Sequence, residues 1–220
     1  MKTDAALKKD ILEELAWEPS VNAARIGVEV EEGIVTLAGH VGTYAEKWHA
    51  EQAAQRVSGV RGLAIEINVQ LADSDHRTDA QLADAVRDVL QWTTNLSVDN
   101  VKIMVESGYV TLTGAVDVDY QRRSATNALR HLVGIKGVRN ELTIRPRVLS
   151  SALKSDIEAS LARRARSNAP QITVQVEGDA VVLSGTAHSL AERKSAVYCA
   201  WGIPGVQKVI DRITVVPLPT

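Results

Sequence analysis

The side chains best suited to metal ligation or nucleophilic catalysis are five histidines, one cysteine and a set of acids, and their spacing supports neither chemistry. His40, His49, His76, His131 and His188 show no metal-ligand spacing with one another or with Cys199. The chain has no Gly-x-Ser-x-Gly elbow, no phosphate-cradling glycine loop and no dinucleotide fingerprint. Glu31, Glu106 and Glu177 recur in register, each at a strand end beside a turn. A catalytic carboxylate needs a paired acid or base, so a turn role is favoured for them. No enzymatic activity, cofactor or metal is expected.

Gly59-Val60-Arg61-Gly62 and Gly134-Ile135-Lys136-Gly137 match the Gly-x-x-Gly clamp of one class of RNA-binding domain. That clamp joins two helices, whereas here the motif leads from a helix into a strand. A formal net charge of -2 also lacks the basic footprint that nucleic acid requires. Nucleic acid is therefore not an expected partner.

The elements that position these residues occur three times. Segments beginning at Leu7, Leu82 and Leu153 overlay without a gap. Leu7, Ile11 and Leu15 return as Leu82, Val86 and Leu90, and again as Leu153, Ile157 and Leu161, the apolar stripe of an amphipathic helix. Ile26, Val28 and Val30, with their counterparts Val101, Ile103, Val105 and Ile172, Val174, Val176, alternate with polar residues as half-buried strands do. Turn residues follow, then second strands ending on Gly39, Gly114 and Gly185, where the chain is expected to bend into a second helix. That helix is expected to run to Gly59, Gly134 or Gly205, and a last alternating strand closes each unit. The predicted fold is α+β: three tandem two-layer modules at 1–71, 78–146 and 150–217, each helix, strand, strand, helix, strand, with two helices on a three-stranded sheet. A module this small is near the lower limit for folding alone, so contacts between copies are expected to matter.

Gly33-Ile34-Val35-Thr36-Leu37-Ala38-Gly39 and Gly108-Tyr109-Val110-Thr111-Leu112-Thr113-Gly114, each followed by a glycine and a β-rich tail, resemble the BON domain, named for bacterial osmotic-stress and nodulation proteins. The third copy has Asp179 where the others have Gly33 and Gly108. The resemblance implies non-enzymatic modules that associate with anionic phospholipid surfaces or other envelope components under osmotic stress. A potassium-binding relative supplies the alternative expectation of a small-ligand or ion sensor.

Composition, at 45% apolar and 24% charged, is that of an ordinary globular protein. Neither a signal peptide nor a transmembrane segment is read in the sequence, so the expected location is the cytoplasm, although many relatives of this type are periplasmic. Cys199 aligns with Ala53 and Ala128 and is expected to be a small buried hydrophobe.

Charge runs from acid-rich in the first module to base-rich in the third. Arg145, Arg147, Arg163, Arg164 and Arg166 are the candidate residues for an anionic surface, each contributing on the order of 1 kcal/mol near a charged membrane. Comparison among copies gives the sharper candidates. Trp48 fills the slot of Arg123 and Lys194, and Val197, Tyr198 and Trp201 replace polar residues of the other two copies. These four are the expected partner interface, covered by another copy in the chain, by self-association or by a protein partner. Trp17 and Trp92, at one equivalent position, are expected to cover the edge of the core.

Overall fold

The computed structural model describes residues 2–93, 100–145, 172–177, 180–202, 206 and 208–216. Module 1 comprises α1 (Asp4–Trp17), β1 (Ile26–Glu31), β2 (Ile34–Val41), α2 (Tyr44–Arg56) and β3 (Gly62–Val69). Module 2 repeats the order with α3 (Asp79–Thr93), β4 (Val101–Glu106), β5 (Tyr109–Val116), α4 (Asp119–Leu129) and β6 (Gly137–Ile144). The described part of module 3 comprises β7 (Ile172–Glu177), β8 (Ala180–Ala187), α5 (Leu190–Trp201) and β9 (Lys208–Val215). The fold is α+β with three repeated modules, and the helical stripe expected at Leu153, Ile157 and Leu161 lies outside the described residues.

Each sheet has the same order, with the second strand in the middle. β1 pairs antiparallel with β2, and β3 returns through α2 to pair with β2 in parallel. The register repeats in module 2, where Ile103 faces Leu112 as Val28 faces Leu37. One sheet face meets the helices. Leu7, Ile11 and Leu15 close over Val28, Val35, Leu37 and Ile67, and Leu82, Val86 and Leu90 over Val110, Leu112 and Leu142.

The hairpin joining β1 and β2 has two central residues with positive φ, Glu32 at 49° and Gly33 at 77°, and Ser107 and Gly108 repeat this at 53° and 84°. This backbone twist matches that of the flanking strands. Asp4, at the start of α1, accepts hydrogen bonds from the N–H groups of Glu32 and Gly33 at 2.9 and 3.1 Å. Asp79 does the same for Ser107 and Gly108 at 2.8 and 2.9 Å. One carboxylate thus fastens the first helix to the hairpin and satisfies two turn donors.

Two boundaries differ from the sequence expectation. Gly39 and Gly114 do not end their strands: β2 and β5 run on to Val41 and Val116. These glycines are needed because the neighbouring chain passes too close, a Cβ on Gly39 falling 2.1 Å from the Arg25 carbonyl oxygen and one on Gly114 2.1 Å from that of Asn100. The second helices also stop before their glycines, α2 at Arg56 and α4 at Leu129, and short turns carry the chain to Gly59 and Gly134.

Candidate interaction surface

The second helix of each module begins just after a cap. Thr43 Oγ1 accepts the N–H of Glu46 at 3.1 Å while the Glu46 carboxylate accepts that of Gly42 at 2.9 Å. Ser189 and Glu192 make the same reciprocal pair in module 3, at 3.1 and 2.7 Å. α4 has Val118 in place of the cap hydroxyl, and Gln121 Oε1 accepts from the N–H of Asp117 at 2.9 Å. These turns start the second helix at the equivalent residue in all three copies. That residue is Tyr44, Asp119 or Leu190, and each projects from the N-terminal end, here termed the head, of its helix.

Each head meets the tail of another module, formed by the C-terminal half of its second helix and the turn that follows. Tyr44 packs against the core of module 2. Beside it, the Arg130 guanidinium lies 3.3 Å from the centroid of the Trp48 ring, and the His49 and His131 rings approach to 6.5 Å. Leu190 packs against the core of module 1. There Ser58 Oγ donates to the His188 carbonyl at 3.2 Å, and Lys194 Nζ donates to the side-chain oxygens of Gln52 and Gln55 at 3.4 Å. The head of module 2 faces module 3: Arg122 stacks on Trp201 at 4.9 Å and Arg123 on Tyr198 at 5.1 Å. Module 1 therefore docks on 2, 2 on 3, and 3 on 1. Three head-to-tail seams close the array into a ring, the outcome of a heterologous interface whose rotation closes.

The same helix positions build every seam with different chemistry. Trp48, Arg123 and Lys194 are equivalent, and so are Gln55, Arg130 and Trp201. In the seam of modules 2 and 3 the apolar anchor is replaced by Asp119, which is 2% exposed and is the only buried charged residue among those described. Arg122 Nη2 and Arg123 Nε lie 2.5 and 2.8 Å from its two oxygens. A carboxylate taken out of water needs such neutralisation, and its place in the first turn of α4 also suits the helix dipole.

Burial in the seams is felt electrostatically. Desolvation pushes the Tyr44 phenol above its ordinary value, with the negative charge of Glu51 adding to the rise. Desolvation lowers the Arg130 guanidinium, partly offset by Coulombic attraction to Tyr44 and Tyr198.

Of the residues singled out in the sequence, Trp48, Tyr198 and Trp201 come to lie at these seams, although Tyr198 remains 40% exposed and is not covered as expected. Val197 packs against the core of its own module, as Trp201 also does in part. Cys199 is half-buried. Trp17 and Trp92 do not cover the core edge: they are 84% and 87% exposed, because each falls on the last turn of its helix after the buried stripe has ended. Arg145 is exposed and lies 3.6 Å from Asp117, whereas Arg147, Arg163, Arg164 and Arg166 lie outside the described residues. Among the described residues no three His, Cys, Asp or Glu side chains converge as metal ligands would. An open groove on module 1, lined by Asp4, Lys8, Glu29, Glu31, Glu32 and Thr36, contains acids without a partnered nucleophile or base. The head residues were missed in the sequence, and their signal was available: all three directly follow the residue at the helix cap.

A family model, the BON domain, matches residues 3–70, 78–146 and 150–217. Osmotically-inducible protein Y of Escherichia coli (strain K12) is 24% identical over 143 residues, covering 63% of this chain and 71% of that protein. An uncharacterized protein in the gshII 5' region of Anaplasma centrale is 26% identical over 121 residues, covering 52% of this chain and 80% of its own. Among solved structures, the C-terminal domain of CdsD, the structural protein of the type III secretion system of Chlamydia trachomatis, is covered in full and aligns with 99% of this chain. Its 15% identity and TM-score of 0.27 are too low to carry an argument.

Proposed function

The chain belongs to the BON domain family, and from that premise we propose that it is a non-enzymatic binding or scaffold protein of the osmotic or envelope stress response, acting from the cytoplasm on an anionic phospholipid surface. The relation to an osmotically inducible protein supports the stress setting. The observation that carries the surface reading is the pair Trp17 and Trp92. Ring closure uses the second helices and leaves these two indoles almost fully exposed at equivalent positions of modules 1 and 2. We take the two rings, at equivalent positions of neighbouring modules, to enter one interface together. Indoles favour the headgroup layer of a bilayer, and two anchors on one body add avidity. Among the described residues no helix is long and apolar enough to cross a membrane.

Sedimentation with liposomes of neutral and of anionic lipid tests the reading. Binding is expected only with anionic lipid, and the Trp17→Ala, Trp92→Ala double variant should bind about tenfold more weakly or worse, the change that loss of roughly 1.4 kcal/mol of anchoring produces. Equal binding by wild type and double variant would remove the indoles from the mechanism. A protein partner on the same face is the outcome indicated by no lipid binding together with loss of a protein complex in that variant.

A further inference from the structure

The three seams are not equal, and the inequality locates where the ring opens. In two of them the head residue, Tyr44 or Leu190, seats an apolar side chain against the neighbouring core. In the third, the equivalent position is the buried Asp119. What holds this seam is a carboxylate neutralised by Arg122 and Arg123, whose guanidinium groups then stack on Trp201 and Tyr198 of module 3. Opening rehydrates the buried carboxylate and guanidinium groups and returns the desolvation cost they carry, whereas exposing an apolar anchor to water recovers nothing. Module 3 is further tied to module 1 by polar contacts at 3.2 to 3.4 Å, with Leu190 as the apolar element. Module 1 and module 2, by contrast, share both an apolar anchor and the close stacking of Arg130 on Trp48.

We propose that the ring opens between modules 2 and 3, and that the opened seam accepts module 3 from a second copy of this chain. The occupant follows from the interface itself. Each half of a heterologous seam is complementary to the other half on any copy, so a contact that has opened within one chain closes equally well between two. Opening presents Tyr198 and Trp201 on one side and the Arg122, Arg123 and Asp119 cluster on the other, an aromatic pair matched to a cationic one. Within one chain the tethered module competes at high effective concentration, so the closed monomer dominates when dilute and the exchanged dimer appears as the protein is concentrated.

The test mixes tagged and untagged full-length protein and follows, by co-purification and light scattering, how fast mixed dimers form. Wild type is expected to exchange slowly. Arg122→Ala with Arg123→Ala should exchange on the order of tenfold faster, as loss of two stacked guanidinium groups implies. Asp119→Leu, which installs the anchor found at the head of module 3, should slow exchange. Trp48→Ala, in the seam of modules 1 and 2, should leave the rate unchanged. Thermal melts accompany each variant, and if the double arginine variant does not fold, Tyr198→Ala reads the same seam from the other side. Absence of mixed dimers at any concentration overturns the proposal, as does an equal rate in all variants or faster exchange in Asp119→Leu.

Discussion

Gly39 and Gly114 occupy positions where a side chain has no room, since an added Cβ would lie 2.1 Å from a carbonyl oxygen of the adjoining chain and φ is +140° or +127°. Gly39→Ala is therefore expected to cost about 3 kcal/mol or more, from backbone strain and steric displacement together, measured by urea unfolding. Asp4 offers a milder test: Asp4→Ala leaves the N–H groups of Glu32 and Gly33 without their carboxylate, an expected loss of about 1–2 kcal/mol because water reaches this turn. At this scale the sequence identified the glycines but gave them another role. A recurrent glycine signals unusual backbone, and whether the cause is a bend or a close approach depends on the partner strand. The aspartate at the start of α1 returns as Asp79 but was passed over, because its targets lie far along the chain and only folding brings them together.

The helices and strands followed their periodicity closely. Leu37 and Leu112 are fully buried in the central strand, and Leu37→Ala should cost about 2–5 kcal/mol by the cavity it leaves, read from a chemical denaturation midpoint. Strand order was not legible, since alternation gives the buried face of a strand but not its neighbour. The second helix decides that order by carrying the chain back so that β3 lies parallel to β2. Its first residue gives a pH test. Burial holds the Tyr44 phenol above its ordinary 10.0, so the unfolded chain loses that proton first. The stability from this neutral phenol is intact below about pH 10 and is lost as pH rises through the folded value. Melting temperatures measured from about pH 9 to 11 should fall more steeply for wild type than for Tyr44→Phe.

The whole molecule is held by seams whose residues differ from copy to copy. Trp48→Ala and Arg130→Ala should each lower thermal stability without changing the mass in solution, and their double-mutant cycle should show a coupling of about 1 kcal/mol. Comparing copies pointed to Trp48, Tyr198 and Trp201, because an aromatic that stands alone among polar equivalents invites a cover. It passed over the heads, since Tyr44, Asp119 and Leu190 share a position after the helix cap but no chemistry. The contact that completes the ring joins Ser58 to His188 across 130 residues of chain. Ribosomal synthesis delivers module 1 first, so its tail stands uncovered, with Gln52, Gln55 and Ser58 facing water, until Leu190 has been translated. The entropic cost of that long closure grows only slowly with length, so the delay is set by translation and not by the search. During that interval the nascent protein is a two-module body with one tail waiting, and the order in which the seams form is written into the direction of translation.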